Sequence, residues 1–534
     1  MIAPAVTPYR SAAPAGHDGF GELLWAEWTK LRTVRGWITG MIIAGLLTVG
    51  VGLLSHGECG SQASGSLVTG GPGCTSPLGP GGEGVTDGFY FVHQPLAGNG
   101  SITVRVASLT GLLPTASNGR VHAGPQSAMH PGLEPWSKAG IIIKASTRQG
   151  SAYAAMMATG GHGVRMQYDY TQDVAGLPGA VTAASPRWLR LTRAGDTITG
   201  YDSADGRHWT LVGTAVLPGL SSTVQAGLFA TSPAYSLTTA QGLLGISGTG
   251  GPTVATGVLD HVSLHGGQPA GAWTGTAIGG GPGDAYPVQG GGYHRAGGRF
   301  TVTGSGDIAP DTPGGAGPGQ TLDHTLVGAF AGLIAVVVVG TMFITAEYRR
   351  GLIRTTFAAS PRRGRVLAAK AIVIGSVTFA ATLAAAVVAV PLSSRLLRDN
   401  GNYLYPVNTL TEVRMVAGTA AMLAVAAVLA LAIGAMVRRS AIAVTVVIVA
   451  IVLPYLISVT NLLPAGADQW LMRLAPAAAF SIQQTIPNYP QAGSVCSVTS
   501  GCYPLAPWAG FAVLCAWAAA ALALAVFLVH RRDA

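Results

Sequence analysis

The chain has 534 residues, of which 10% are charged and 49% apolar, and its mean hydropathy is +0.42. Soluble domains carry roughly 25% charged residues, so this composition excludes an ordinary soluble protein and points to a membrane. The net charge of +9 is no sign of nucleic acid, because the basic residues sit beside apolar runs, where they set orientation and meet anionic headgroups.

Residues 1–19 are rich in Pro, Ala and Gly and read as a disordered tail. In residues 20–36, Leu23, Leu24, Trp28 and Leu31 recur at helical spacing, while Glu22, Glu27, Lys30, Arg32 and Arg35 fall elsewhere around the wheel. This predicts an amphipathic helix lying in the membrane interface, with Leu24, Trp28, Lys30, Leu31 and Arg32 as its characteristic residues. Trp37–Leu54 follows as the first of six apolar runs near the length of about 20 residues that a span needs, and residues 37–55 are assigned to it. The basic residues ahead of it also suit a signal peptide, but no clean small-residue cleavage site follows, so the run reads as a retained anchor.

Residues 56–84 form a Gly/Ser/Pro linker. From 85 to 265 the pattern changes to short alternating runs such as Ser101–Val106, Ala139–Lys144, Gly163–Tyr168, Arg187–Thr192 and Val224–Phe229, separated by Gly, Pro and Asp turns. Period-two runs of this kind predict an antiparallel β-sandwich, and Ala204–Arg207 supplies a tight hairpin turn. Residues 266–324 read as a Gly-rich stalk with one further strand at Arg299–Thr303. A domain of this size can bury its own core. Because it is inserted between the first two spans, its two ends must lie near each other at the membrane.

Residues 325–534 hold the other five spans: Leu326–Thr345, Ala371–Pro391, Val416–Val437, Ala441–Val459 and Trp508–Val529. The fold class is therefore an α-helical polytopic membrane protein of six transmembrane helices with an inserted all-β extracellular sandwich. Lys and Arg concentrate on one side: Lys30, Arg32 and Arg35, then Arg349 to Lys370, then Arg438 and Arg439, then Arg531 and Arg532. By the positive-inside rule, both termini are cytoplasmic and residues from about 56 to 324 face outward. Cys59 and Cys74, and Cys496 and Cys502, then fall in outer segments as two candidate disulfide pairs, with free thiols as the alternative; Cys515 lies within a span. The cysteines form no metal-ligand cluster. Ionisable residues are nearly absent from the spans, which removes support for ion-coupled transport. Pro454 marks a kink in the fifth span, and the last outer region, with Asn461, Trp470, Gln483 and Gln484, has the character of a re-entrant segment. The small residues of Ala381–Ala389 and Ala417–Ala432 permit close helix packing and dimerisation.

The basic loop 346–370 carries the most information. Glu347 sits among Arg349, Arg350 and Arg354 at spacings that allow local ion pairs. Pro361 ends the helix, leaving Arg362, Arg363 and Arg365 to face headgroups or a partner. The chain has no G-x-x-x-x-G-K-[ST] loop, because none of Lys30, Lys138, Lys144 and Lys370 follows a Gly; it is not read as the ATP-hydrolysing subunit by that mechanism.

Two segments, W-A-E-W-T-K-L-R-T-V-R-G-W (Trp25–Trp37) and E-Y-R-R-G-L-I-R-T-T-F-A-A-S-P-R-R-G-R-V-L-A-A-K-A (Glu347–Ala371), resemble the ABC-2 type transporter permeases of actinobacteria; with the six-span plan the resemblance covers roughly half the chain. It implies the membrane subunit of an ATP-binding-cassette exporter, working as a homodimer or with a paralogous permease. Its partner is a separate ABC ATPase subunit that binds the ATP, so this chain needs no cofactor of its own. It implies further that Phe20–Arg35 is a connecting helix. The coupling element would lie within Glu347–Arg365, with Glu347, Arg349, Arg350, Arg354, Arg362, Arg363 and Arg365 as its residues.

Trp136–Ser146, Tyr153–Tyr168, Pro186–Trp209 and Ala226–Ser232 resemble concanavalin-like β-sandwich modules of bacterial surface proteins, which implies a jelly roll; some relatives bind carbohydrate. No carboxylate pair has a glycosidase context. Asp169, Asp173, Asp196, Asp202 and Asp205 sit in predicted turns, where Asp ordinarily bonds its own backbone, and His162 reads as a loop residue. Tyr168, Tyr201 and Trp209 are the candidate sugar-stacking residues, while alternation places Trp188 in the core. The rival function is a membrane-anchored carbohydrate- or cell-wall-binding protein without transport, which would not need the coupling loop.

Overall fold

The computed structural model describes residues 19–54, 76–114, 116–117, 120–121, 129–241, 245–266, 271–279, 291–312, 319–359, 362–460, 462–463, 465–487, 489–492, 498 and 501–532. The expected disordered tail, most of the 56–84 linker, Pro361 and Asn461 lie outside them.

The helices are α1 (Phe20–Thr33), α2 (Arg35–Leu54), α3 (Ala329–Arg349), α4 (Leu352–Ala359), α5 (Arg363–Asp399), α6 (Thr409–Val437), α7 (Ser440–Val459), α8 (Ala465–Leu474) and α9 (Pro507–Arg532). Among the described residues, six helices are long and apolar enough to cross a membrane: α2, α3 with the 3-10 turn before it, α5, α6, α7 and α9. Pro391 lies inside α5, not at its end, and the helix continues for 37 residues in all. That is roughly 55 Å at 1.5 Å per residue, against a hydrocarbon layer of about 30 Å, so α5 projects beyond the bilayer. Pro454 lies within α7.

The most enclosed span is α6, with Leu423, Ala426, Ala427, Ala430 and Leu431 buried and α3, α5, α7 and α9 around it. Small residues allow this crowding. A Cβ placed on Gly340 of α3 would lie 2.7 Å from the Ala427 carbonyl oxygen. The Ala stretch of α6 is thus used for packing inside the chain. The segment Pro476–Gln483 is a 3-10 helix buried along its whole length, packed on α6, α7 and α9.

The inserted domain is a β-sandwich. One sheet runs Gln172–Ala175, Val164–Tyr168, Tyr153–Thr159, Lys138–Lys144, Thr223–Thr231, Phe89–Ala97, Thr274–Ile278. The other runs Thr210–Val216, Thr197–Ser203, Arg187–Ala194, Gly100–Pro114, Val254–Gly266, Arg299–Gly304, Gly292–Ala296, with Met129–Pro131 added to Gly100–Pro114. Alternation sets which residues face inward: Ile102, Val104 and Val106 meet Leu189, Leu191, Met156 and Met166 between the sheets. The sheets approach so closely at Gly200 that a Cβ there would lie 2.7 Å from the sulfurs of Met156 and Met166.

Strands continue past residue 265, into the segment that reads as a stalk. Thr274–Ile278 pairs with Phe89–Ala97, and Arg299–Gly304 pairs with Val254–Gly266. Glycine dilutes the alternation there, and the missing apolar signal is supplied by neighbours that are distant in sequence. Trp188 also departs from expectation: Leu189 and Leu191 take the inward positions, and the half-buried Trp188 lies on the outer face, 5.2 Å from the His261 ring.

The two ends of the domain pair with each other. Val85–Asp87, at the entry, forms an antiparallel ribbon with Ile308–Pro310, at the exit. Two buried ion pairs hold this ribbon over the seven-stranded sheet: Lys138 Nζ donates to Asp307 at 2.5 Å and Lys144 Nζ to Asp87 at 2.7 Å. The Tyr170 hydroxyl and the Gly150 N–H also donate to the same Asp87 oxygen. Beneath the ribbon lies a second core of Phe89, Phe91, Ile142, Tyr153, Met157 and Phe229. That is why Lys138–Lys144 and Tyr153–Thr159 are buried on both faces.

Among the described residues, the chain leaving the sandwich and a turn within it both bond to the helical part. The backbones of Gln320 and of Tyr403 and Tyr405 bond each other, Gln320 N to Tyr403 O at 2.7 Å and Tyr405 N to Gln320 O at 3.1 Å. The Gln491 amide donates to the Thr171 carbonyl at 3.1 Å. The latter contact falls on the three-residue loop between Val164–Tyr168 and Gln172–Ala175, whose Asp169 and Tyr170 have left-handed φ of 42° and 60°.

Burial pushes the Asp169 carboxyl up to about 6, with Glu83 adding to the rise and Lys144 opposing it. A carboxyl whose folded pKa lies above its unfolded value costs stability once ionised. The cost therefore grows from about pH 4 to about pH 6 and is full at pH 7. Asp169 is only half buried, so screening limits this to about 1 kcal/mol. Asp169→Asn should raise the thermal unfolding temperature of the detergent-solubilised chain at pH 7 by a few degrees more than at pH 4.5; an equal gain at both would contradict this account.

Candidate coupling site at the basic end of the helix bundle

The inward face of α1 is not purely apolar. Leu31 is buried against the bundle and Leu24 packs beside it, but between them Glu27 is 2% exposed. Trp25 and Trp28 point away, at 66% and 38% exposure, where aromatic side chains suit an interface; Arg32 is exposed as well. Glu27 therefore belongs to the buried stripe, not to the polar face of the wheel.

The reason is a four-charge cluster. Lys370 Nζ, on α5, donates to Glu27 Oε2 and to Glu347 Oε1, each at 2.6 Å. Lys30 Nζ donates to Glu27 Oε1 at 2.7 Å and to Glu347 Oε1 at 3.3 Å. Two carboxylates and two ammonium groups balance, and α1, α3 and α5 meet at one point. Lys370 is fully buried, with its Nζ 4.9 Å from the Phe343 ring centroid. Charges leave water at such a cost that they stay ionised only when paired. Glu347 accordingly does not turn to the neighbouring arginines that its spacing favours. Lys370 lies 23 residues away and Lys30 lies 317 away, a pairing that local spacing does not reveal.

Next to the cluster, α3 ends at Arg349 with Arg350 as its cap, Gly351 takes a φ of 70°, and the two-turn helix α4 begins. Ile353 anchors α4 in the bundle, whereas Leu352 is 49% exposed and Thr355 is exposed. The side chain of Arg354 lies outside the described residues. Arg350, Arg362 and Arg365 are exposed around α4, and Arg363 donates to the Val529 carbonyl of α9 at 3.3 Å. Arg349 instead joins Arg438 and Arg439 along a cleft of ≈ 510 Å³ between α3 and the α6–α7 turn. Glu347, Arg350, Arg362, Arg363 and Arg365 thus lie at one end of the bundle around α4, Arg349 lines a separate cleft, and Glu27 and Lys370 join Glu347.

The outer candidates are not gathered. Tyr168 packs against the core between the sheets. Tyr201 lies in Thr197–Ser203 of the opposite sheet, and one ring face of Trp209 is covered by the Arg190 guanidinium at 3.9 Å. Asp205 and Asp196 lie in turns, where Asp205 accepts from the N–H groups of Arg207 and His208 and Asp196 from that of Gly219; Asp202 and Asp173 lie instead in strands, where Asp202 accepts from the Leu177 N–H and Asp173 pairs with Arg165. The His162 ring stacks on Trp136 at 4.0 Å. Cys502 is disulfide-bonded, with its partner outside the described residues, as are Cys59, Cys74 and Cys496. Cys515 is free.

Six apolar helices, a β-sandwich inserted after the first of them, and a charged junction at one end define a multi-pass membrane protein with a large β insert. The model of one family, the ABC-2 family transporter proteins, matches residues 166–534. This is more than half of the chain, and the chain belongs to that family. The matched region contains Glu347, α4 and Lys370 but not α1. No curated protein sequence matches the chain. Among solved structures, it is similar to a functionally unknown protein from Saccharomyces cerevisiae, at 16% identity and a TM-score of 0.20, over 34% of this chain and 76% of that one. It is also similar to scytalido-glutamic peptidase with a transition state analog inhibitor, at 6% identity and 0.23, over 42% and 100%. At such scores neither likeness bears on this chain's fold or activity.

Removing one member of a buried ion cluster strands the others. Lys370→Met should cost about 3 kcal/mol or more, read as a lower unfolding temperature in detergent. Adding Glu27→Gln and Glu347→Gln to it should recover most of the loss. If the triple variant is no more stable than Lys370→Met, the cluster does not hold the three helices together.

Proposed function

We propose that the chain is the membrane-spanning permease subunit of an ABC-2 type ATP-driven exporter, coupled to a separate ABC ATPase subunit that binds the ATP. Membership in the transporter family supports the permease role. The observation that carries the coupling is α4: a short helix anchored by Ile353, with Leu352 and Thr355 exposed, set between two spans and flanked by exposed Arg350, Arg362 and Arg365. The ends of α3 and α5 that flank it are joined through Glu347 and Lys370, and through Glu27 to α1. A push on α4 by the ATPase then moves three helices as one body, a rigid-body transition of a familiar kind.

In this reading the basic end of the bundle is cytoplasmic, because Lys and Arg concentrate there; both termini are inside and the sandwich is outside. A second permease copy or a paralogue completes the translocation path.

The test is a pull-down of the tagged full chain from its native membrane. The wild type should recover an ABC ATPase, and Arg350→Glu/Arg365→Glu should lose it while keeping its own unfolding temperature. Recovery of wall polymers or surface proteins with no ATPase would replace this reading with that of a membrane-anchored binding protein.

A further inference from the structure

The cleft beside Arg349 is not used by the coupling argument. Arg349 comes from the end of α3, and Arg438 and Arg439 from the turn joining α6 to α7. Among the described residues, no carboxylate lines it: Glu347, two residues from Arg349, is taken up by Lys370 and Lys30 on another side of α3. Thr345 and Ser440 add hydroxyls to the lining. Ser440 is also the first residue of α7, where backbone N–H groups lack partners within the helix.

Arg438 has a φ of 60° and closes α6 in the left-handed conformation. That position ordinarily takes Gly or Asn, and an Arg there carries backbone strain, a mark of a side chain kept for what it does. Its guanidinium is held 4.9 Å from the Tyr348 ring centroid. The rest of the lining is apolar, from Met342 and Ala441 among others. Just beyond, α7 presents Ile442, Val446, Val449 and Leu453 to the outside, each over 40% exposed, as one stripe at helical spacing. A concentrated positive charge at the end of the spans, continued by an apolar track along a span, fits an amphiphile with a phosphate-bearing head and acyl chains. A free anion would use only the charged part.

We propose that this cleft is a binding site for the phosphate headgroup of an anionic membrane lipid, with Arg349, Arg438 and Arg439 on the phosphate and the acyl chains along the outer stripe of α7. Arginine suits the role because its planar fork bonds phosphate oxygens in pairs. The site depends on membrane residence alone and stands or falls separately from ATPase coupling.

The full-length chain in detergent is titrated with phosphatidylglycerol, with phosphatidylcholine and with inorganic phosphate, and bound lipid is counted by native mass spectrometry. The wild type should retain phosphatidylglycerol at least tenfold better than phosphatidylcholine, and millimolar phosphate should not displace it. Arg438→Gln/Arg439→Gln should reduce that retention at least tenfold, while Arg395→Gln/Arg398→Gln, an equal loss of charge at the other end of α5, should leave it unchanged. Equal retention of the two lipids, full displacement by phosphate, or an equal loss in both double variants would overturn the proposal. Should the first variant not fold, the wild-type lipid preference and phosphate competition decide alone.

Discussion

Charge buried away from water is the constraint on which the junction of α1, α3 and α5 depends. Glu27, Lys30, Glu347 and Lys370 come from three helices, and the wholly buried Lys370 is not tolerable without its two carboxylates. Satisfying them fixes how α1 lies against α5, how far α3 extends, and where α5 begins. The exposed helix α4, strung between the ends of α3 and α5, inherits a defined position from that arrangement. A purely apolar junction would allow α1 to slide, since apolar contact has no direction; an ion cluster with bonds of 2.6–2.7 Å does not.

The β domain solves a different problem with the same chemistry. A domain inserted between two spans must return its chain to where it left. The ribbon of Val85–Asp87 with Ile308–Pro310 closes that circuit, and Lys138 with Asp307 and Lys144 with Asp87 hold it on the sheet. Of the four lysines in the chain, Lys138, Lys144 and Lys370 are wholly buried, and Lys30 pairs with two carboxylates. All four lysines are thus paired with carboxylates. The Gln491 amide then bonds the sandwich from the segment between α8 and α9, and the backbone of Gln320, on the way to α3, pairs with Tyr403 and Tyr405 between α5 and α6.

The candidate site was partly legible in the sequence. The basic loop 346–370 stands out because arginines gathered between two apolar runs are costly to place anywhere but at a membrane boundary. Helix α1 stands out because leucines at helical spacing with flanking charges read as amphipathic. The partners of Glu347 were not legible. Spacing along one helix favours Arg350 or Arg354, and only packing brings Lys370 and Lys30 within reach. Arg349 and Arg438 likewise share a cleft across 89 positions of chain. Tyr168 and Tyr201, alike on paper, part ways because alternation along their strands turns Tyr168 to the core and Tyr201 away from it.

The sequence by itself determined the six apolar helices, the inserted β domain and the asymmetry of basic residues. Each is a matter of composition and local period: some twenty apolar residues must leave water, and period-two runs must form strands with one face buried. Tertiary structure alone decided that strands continue to residue 310, that Pro391 is absorbed within α5, that the domain's ends pair with each other, and that four charges meet where α1, α3 and α5 cross. These depend on contacts between residues tens to hundreds of positions apart, and the energy of such contacts is set by burial and geometry that no local window contains.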